Sequence, residues 1–306
     1  MQTPRRLGTL CIATLTAFGA LTAWAMPVSA DPPLAAQNET GRGLALGSGM
    51  RASAISTSAL AYNPSSMPLG RLYHMEAFAD YSPNTDMLGL GAAVVDSLTS
   101  SLAAGISARA LWSQGSKAAD GFDIRLGAGL PLSEAITVGV SGRYLSIEAP
   151  EALRGADNVE GSGSDPSTKG ITVDAAIGLH PAEGIHLSLL GYNLINRHSA
   201  YAPVMAGGSV GFNLGDSFTL GGDLLVDFTT FQDRRTFIAG GGMEYLHDST
   251  IPMRVGYMFD SGRSLHYVSA GVGYNDQKMG FEVGLQQGVA GTNDTRVLAS
   301  LRYFVH

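Results

Sequence analysis

An all-β chain closed into an antiparallel transmembrane β-barrel of about 14 strands, with an N-terminal hatch segment in its lumen, is the fold this sequence predicts. Three observations lead there. Fourteen short stretches alternate apolar and polar residues between Arg71 and Val305. They follow one segment built like a cleavable export signal. The connections between them alternate, for the most part, between longer and shorter. An alternating strand can face lipid on one side and water on the other. A closed ring leaves no unpaired backbone edge in hydrocarbon.

The leader comes first. Arg5 and Arg6 form a basic start, Leu7 to Trp24 an apolar core, and Val28-Ser29-Ala30 a small-residue cleavage site. Cleavage after Ala30 is expected, with Ala25 as the second choice and a permanent anchor as the competing reading. Cys11, the only cysteine, lies inside the apolar core, which argues against lipoprotein attachment and leaves the mature chain without disulfides. No later run is long and apolar enough for a spanning helix. Division into a signal peptide (1–30), a hatch (31–70) and a barrel (71–306) follows, and export to the outer membrane of a Gram-negative bacterium is the expected localisation.

Composition narrows the function classes. Forty glycines are too many for a helical protein but suit tight turns and close-packed strands. A net charge of −7 gives no basic face for nucleic acid. There is no Cys/His metal spacing, no phosphate-binding loop and no dinucleotide fingerprint, so no cofactor is expected. The expected surroundings are the lipid bilayer, lipopolysaccharide and the barrel-assembly machinery. The chain ends on His306 with Phe304 two places earlier, whereas assembly signals usually end on an aromatic residue.

Residues 31–70 do not alternate; they are small and mostly uncharged, too long for a simple leader, and able to fold back and plug a lumen. Strands are then predicted to start near 71, 87, 101, 120, 135, 168, 183, 203, 216, 234, 251, 264, 277 and 293. In the fourth, Phe122, Ile124, Leu126 and Leu130 oppose Asp123 and Arg125; in the ninth, Phe218, Leu220, Leu224, Val226 and Phe228 oppose Thr219, Asp223 and Asp227. Each covers the length a tilted strand needs to cross a bilayer, and an even count puts both chain ends in the periplasm. Odd connections such as SQGSKAAD and NRHSAYA are mostly longer than even ones such as PLSEA and LGDS, and the longest, from Glu148 to Thr168, reads as a mobile outer loop. Tyr73, Tyr81, Trp112, Tyr144, Tyr245, Tyr257, Tyr274 and Tyr303 fall near strand ends on the lipid side, as an interfacial girdle requires.

The inward face carries the chemistry: His74, Glu76, Asp80, Arg109, Asp123, Arg125, Arg143, Asp174, His180, His186, Asp223, Asp227, Glu244, Arg254, Glu282, Arg296 and Arg302. Acids and bases are roughly balanced, which predicts salt bridges bracing wall to wall and wall to hatch. The competing reading is a polar lining for a ligand headgroup, with Arg125 and Arg143 on adjacent strands as carboxylate grips and Arg109, Asp223, Asp227 and Glu244 as further lumen candidates. Asp223 and Asp227 lie four apart on one strand face, and His180 and His186 lie across a turn, but neither pair has a nucleophile setting, so no enzyme is expected. Gly207-Gly208 and Gly240-Gly241-Gly242 either kink the wall toward a side exit or serve close packing.

The hatch carries a resemblance. Residues 52–67, centred on Ser58, Ala59, Tyr62, Asn63 and Pro64, resemble the Ser/Thr-Ala, Asn-Pro-Ala-Gly segment of the FadL/PorV superfamily of outer-membrane proteins, with Ser65-Ser66 in place of Ala-Gly. MRVGYMFDSGRSLHYVSAGVGY and TRVLASLRYF are similar to the closing run of its PorV/PorQ branch. The resemblance implies fourteen strands around a luminal hatch. It implies passive transport of a hydrophobic or amphipathic small molecule or, alternatively, docking of a secreted protein without transport. Asn63-Pro64 is expected to turn the hatch into the first strand, because proline fixes φ and asparagine caps turns.

Overall fold

The computed structural model describes residues 40–47, 49–113, 119–148 and 167–305. The expected leader, the first part of the hatch and most of the long outer loop fall outside these residues. The wall consists of β1 (Tyr73–Ser82), β2 (Met87–Asp96), β3 (Ala103–Ser113), β4 (Asp120–Pro131), β5 (Ile136–Glu148), β6 (Thr168–Ala182) and β7 (Ile185–Tyr192). It continues through β8 (Met205–Leu214), β9 (Phe218–Asp227), β10 (Thr236–His247), β11 (Ile251–Asp260), β12 (Leu265–Asn275), β13 (Met279–Ala290) and β14 (Thr295–Val305). Every predicted start lies within two residues of an observed one.

The strands pair antiparallel in chain order, and β1 closes the ring against β14 from Tyr73↔Val305 to Tyr81↔Val297. Closure supplies partners for every edge that hydrocarbon would leave unsatisfied. Alternation sorts the faces as expected: Leu126 is 60% exposed on the outer surface while its neighbour Arg125 is 2% exposed inside. Trp112, Tyr81, Tyr245, Tyr257, Tyr274 and Tyr303 are exposed on the outside near strand ends, whereas Tyr73 and Tyr144 are half-buried by neighbouring side chains.

Connection lengths follow the expected parity less strictly than the strands do. Residues 193–204 and 228–235 are long outer connections, but 83–86, 261–264 and 291–294 are as short as periplasmic turns. Carboxylates close such turns compactly: Asp260 accepts the backbone N–H of Gly262 at 2.8 Å and pairs with Arg263 at 2.5 Å. The glycine runs do not kink the wall. Gly240–Gly242 and Gly207–Gly208 sit in unbroken ladders, and the register shifts fall instead at Leu179/Ala182 and His266/Tyr267.

Inside the ring, residues 40–47 and 49–70 form helix α1 (Gly41–Ala45), a 3₁₀ turn (Arg51–Ser53), helix α2 (Ser56–Tyr62) and a second 3₁₀ turn (Pro64–Leu69). Thr40 caps α1 by accepting the Gly43 N–H at 3.1 Å. α2 stops where Pro64 forces Asn63 out of helical space, to φ −154° and ψ 84°. Asn63-Pro64 therefore turns α2 into the second 3₁₀ turn, and Gly70 leads on to β1; the expected bend exists but does not enter the strand directly. Inward glycines let the hatch backbone lie against the wall. A Cβ at Gly139 would collide with the Pro64–Ser65 peptide, and one at Gly256 with Leu46 and Gly47.

The outward set supplies a test of orientation. Leu126→Arg, in the middle of β4 and facing outward, is expected to cost about 2–4 kcal/mol on urea unfolding from lipid vesicles, and Leu132→Arg, in the turn beyond it, less than about 1 kcal/mol. Equal and negligible losses would show that this face does not meet hydrocarbon.

Candidate functional site: a hatch, its ionic collar and an apolar band

The lumen has two layers. Toward the end where β1 starts and β14 finishes, the hatch sits in a collar of paired charges. Arg42 of the hatch reaches Glu244 on β10 at 3.3 Å, and Glu244 also binds Arg254 on β11. Arg254 binds Glu282 on β13, and Glu282 takes Arg302 of β14 at 3.1 Å. Arg302 meets Glu76 on β1 at 3.3 Å, and Glu76 accepts the hydroxyl of Thr57, back on the hatch. The chain of charges thus leaves the hatch at Arg42 and returns to it at Thr57.

A second anchor lies across the lumen. Arg51 donates through its side chain to Asp223 on β9 at 2.7 Å and through its backbone N–H at 3.2 Å, and Ser209 donates its hydroxyl to the same carboxylate. The Ala52 N–H reaches Ser209 Oγ at 2.7 Å. The Arg51 guanidinium lies 5.4 Å from the Tyr62 ring centroid and 5.9 Å from that of Tyr192. Burial alone would make this guanidinium easier to deprotonate; the charge and hydrogen bond of Asp223 oppose burial, and its pKa is raised, so it stays charged.

Each sequence-predicted residue now has a place. Arg125 and Arg143 are opposite one another on β4 and β5, as expected, but both are engaged. Arg143 pairs with Asp123, and Arg125 donates to the Ala61 carbonyl of the hatch at 2.5 Å and lies 3.9 Å from Asp174. Arg109 shares Asp80 with Arg296, each at 2.8 Å. Asp223 and Glu244 hold the hatch. Asp227 does not join this collar; it accepts the N–H groups of Thr229 at 3.0 Å and Thr230 at 2.9 Å and closes the outer connection.

The hatch motif works as a knot. Asn63 Nδ2 shares its two hydrogens among the Arg51 carbonyl at 3.0 Å, Ser66 at 2.7 Å and Ser188 on β7 at 2.8 Å, and Asn63 Oδ1 accepts the Ser65 hydroxyl at 2.6 Å. The serines that replace Ala-Gly here are therefore partners of Asn63. The Tyr62 hydroxyl accepts the Thr40 N–H at 3.1 Å. Ser58 lies 3.3 Å from Thr40 Oγ1, and Ala59 takes part in a buried cluster with Leu60, Met67 and Val95. Pro64 lies on Gly129 and Gly139.

The second layer is apolar. Leu190, Tyr192, Met205, Leu225, Ile238, Met258, Leu265 and Tyr267 form one buried cluster on the inward face, toward the opposite ends of β7–β12. Leu225 faces Ile238 across β9 and β10, Met258 faces Tyr267, and Tyr192 faces Met205. Above it, Tyr201 and Ala202 from residues 193–204 pack on Leu145 and Ile147, and Ala200 packs on Phe231. This band was not anticipated, although its signal exists: Leu225 lies midway between Asp223 and Asp227, so parity places it inward beside outward Leu224.

Where the two layers meet is a cavity lined by Arg51, Tyr62, Arg125, Arg143, Tyr192 and Met205, with room for about one water molecule. The Tyr192 hydroxyl spans the junction by donating to the Tyr62 carbonyl. Among the described residues no group of three or more His, Cys, Asp or Glu is gathered as a metal cage.

No protein-family profile and no curated protein matches the chain. Solved structures do. The toluene transporter TbuX of Ralstonia pickettii is similar over 88% of this chain and 98% of its own, with a TM-score of 0.59 and 13% identity. The toluene transporter TodX of Pseudomonas putida is similar over 86% of this chain and 96% of its own, with a TM-score of 0.56 and 11% identity. The monoaromatic hydrocarbon channel CymD is similar over 80% of this chain and 91% of its own, with a TM-score of 0.56 and 12% identity. At these identities the likeness is one of fold, and the neighbours are transporters and a channel rather than enzymes.

The Arg51–Asp223 anchor can be tested by unbalancing it. Arg51→Met leaves Asp223 buried without its cation and is expected to destabilise the seated hatch by about 3–5 kcal/mol. Hydrogen exchange at residues 49–63 should rise accordingly. Arg51→Met with Asp223→Leu removes both charges and should recover much of the protection; no difference between single and double variants would remove the anchoring role.

Proposed function

We propose that this chain is a FadL-like outer-membrane barrel that passively moves small hydrophobic molecules. The observation that carries the reading is the apolar band: a barrel serving only as a water-filled pore has no use for Leu225, Ile238 and Met258 on its inward face. The fold likeness to hydrocarbon transporters supports the same class of cargo. A molecule enters past residues 193–204 and 228–235, rests against the band, and leaves when the hatch shifts locally. Arg125 and Arg143 line the cavity at the hatch and offer guanidinium groups to an amphipathic cargo once their present partners yield. Signal-directed export, the 31–70 hatch boundaries and contact with lipopolysaccharide belong to this proposal.

Docking of a secreted protein is the second reading, and one observation favours it: the lumen is filled, so cargo must displace protein to pass. No neighbour reported above is a docking partner.

Both readings meet in one experiment. Ala52→Cys with Ser209→Cys places two thiols where the hatch touches β8, and their oxidation tethers the hatch. Cells should take up labelled toluene through the reduced protein and lose that uptake on oxidation. Leu225→Asp should lower uptake without changing barrel folding. Uptake indifferent to both changes would overturn transport through this lumen, and mass spectrometry of the purified protein would then be expected to find a secreted protein instead of a retained lipid-like compound.

A further inference from the structure

Two histidines meet at the end of the wall that bears the short even turns. His180 projects inward from β6 and His186 from β7, across the turn that joins them. Their Nδ1 atoms are 3.0 Å apart, with ring centroids 5.1 Å apart and planes inclined at 70°. The β6–β7 ladder is broken between Leu179 and Ala182, beside His180. A bulge re-aims the side chain it carries. Both imidazoles are half-buried, and neither takes part in the ionic collar.

We infer that His180 and His186 together bind one first-row transition-metal ion, of which the cupric ion fits best. Metal–imidazole bonds of about 2.0–2.1 Å that enclose a right angle put the two nitrogens about 3 Å apart, which is the separation found here. A tetrahedral zinc site asks for a few tenths of an ångström more. Right-angled nitrogen donors with open positions suit the tetragonal geometry of copper(II) and nickel(II), and copper binds most tightly in that series. Hard ions such as magnesium or calcium need carboxylate or carbonyl oxygens, which the pair does not offer.

The surroundings allow ligation through Nδ1 once the Asn213 amide turns over. A ligating histidine is held by a partner on its other ring nitrogen. His180 Nε2 lies 3.4 Å from the Thr137 hydroxyl, and His186 Nε2 lies 3.1 Å from Asn213 Nδ2, from which it accepts in the metal-free state. With Nδ1 on the metal, both Nε2 atoms carry hydrogen and donate: His180 to the Thr137 oxygen, His186 to the Asn213 amide with its oxygen turned inward. Water fills the remaining positions. The ion links β6 to β7 where the ladder is broken, close to the hatch turn: Gly178 is flanked by Thr137, Ser65 and His180 alike. The inference does not depend on what the barrel transports.

The experiment uses the full processed protein, untagged and in detergent, titrated with copper(II) chloride. Isothermal titration should give one site, and electron paramagnetic resonance should show hyperfine splitting from two imidazole nitrogens. His180→Gln and His186→Gln should each weaken binding by well over an order of magnitude and reduce the splitting. Asn213→Ala, which keeps both ligands, should cost about tenfold. His247→Gln, at a different turn, should change nothing. Binding of equal strength in wild type and in the His180→Gln/His186→Gln double variant, or a spectrum without two coupled nitrogens, overturns the site and leaves an imidazole–imidazole hydrogen bond in its place. The wild-type spectrum stands by itself if a variant fails to fold.

Discussion

Hydrocarbon cannot accept or donate a hydrogen bond, and the whole molecule answers to that. A strand in lipid must pair on both edges, so β1 must find β14 and the sheet must close. Closure of the fourteen strands creates an interior. Polar side chains excluded from the lipid face have only that interior to occupy. A hatch in the same interior removes most of the water that would solvate them. Each wall charge then needs a partner, and the hatch supplies part of the set: Arg42 for Glu244, Arg51 for Asp223, Thr57 for Glu76.

Buried ion pairs add little net stability over a well-packed apolar substitute, because desolvation consumes most of the attraction. Their value lies in excluding alternatives. A hatch slid along the lumen would leave Glu244 or Asp223 facing no cation, at a cost of several kcal/mol. The hatch buries Leu44, Leu46, Met50, Leu60 and Met67 against the wall, but apolar contacts are non-directional and do not by themselves fix one seat. The collar chooses it, and inward glycines such as Gly139 and Gly256 let the two backbones approach.

The barrel was legible from period two because lipid and lumen impose opposite chemistry on alternate residues. Strand starts therefore fall within two residues of those observed. Which inward charges exist was equally legible; which ones pair was not. Arg42–Glu244, Arg51–Asp223 and Arg302–Glu76 join residues far apart in sequence, and only the closed ring sets them side by side. Asp227 shares the parity of Asp223 yet caps a turn, since it ends its strand and backbone N–H groups lie within reach. Asn63-Pro64 reads as a bend, and it is one; of its four polar partners Ser65 and Ser66 are local, while Arg51 and Ser188 come from distant segments and leave no local trace. The apolar band carries no polarity signal that marks it as inward. Parity placed Leu225 and Ile238 inside regardless of their chemistry.

The two layers of the lumen differ in what an apolar molecule could replace. Against Leu225, Ile238 and Met258 it can substitute for protein contacts with little loss, because apolar contacts are non-directional. Against the collar it can substitute for nothing, since a carboxylate deprived of its guanidinium keeps its desolvation cost. An apolar molecule inside the lumen would therefore be accommodated by the band and not by the collar. Tyr192 belongs to both, with its ring in the band and its hydroxyl on the Tyr62 carbonyl. A ligand that shifts the Tyr192 ring gives up that hydrogen bond and loosens the Arg51 stack together. Occupancy of the band and seating of the hatch are then linked, each weakening the other by the same free energy.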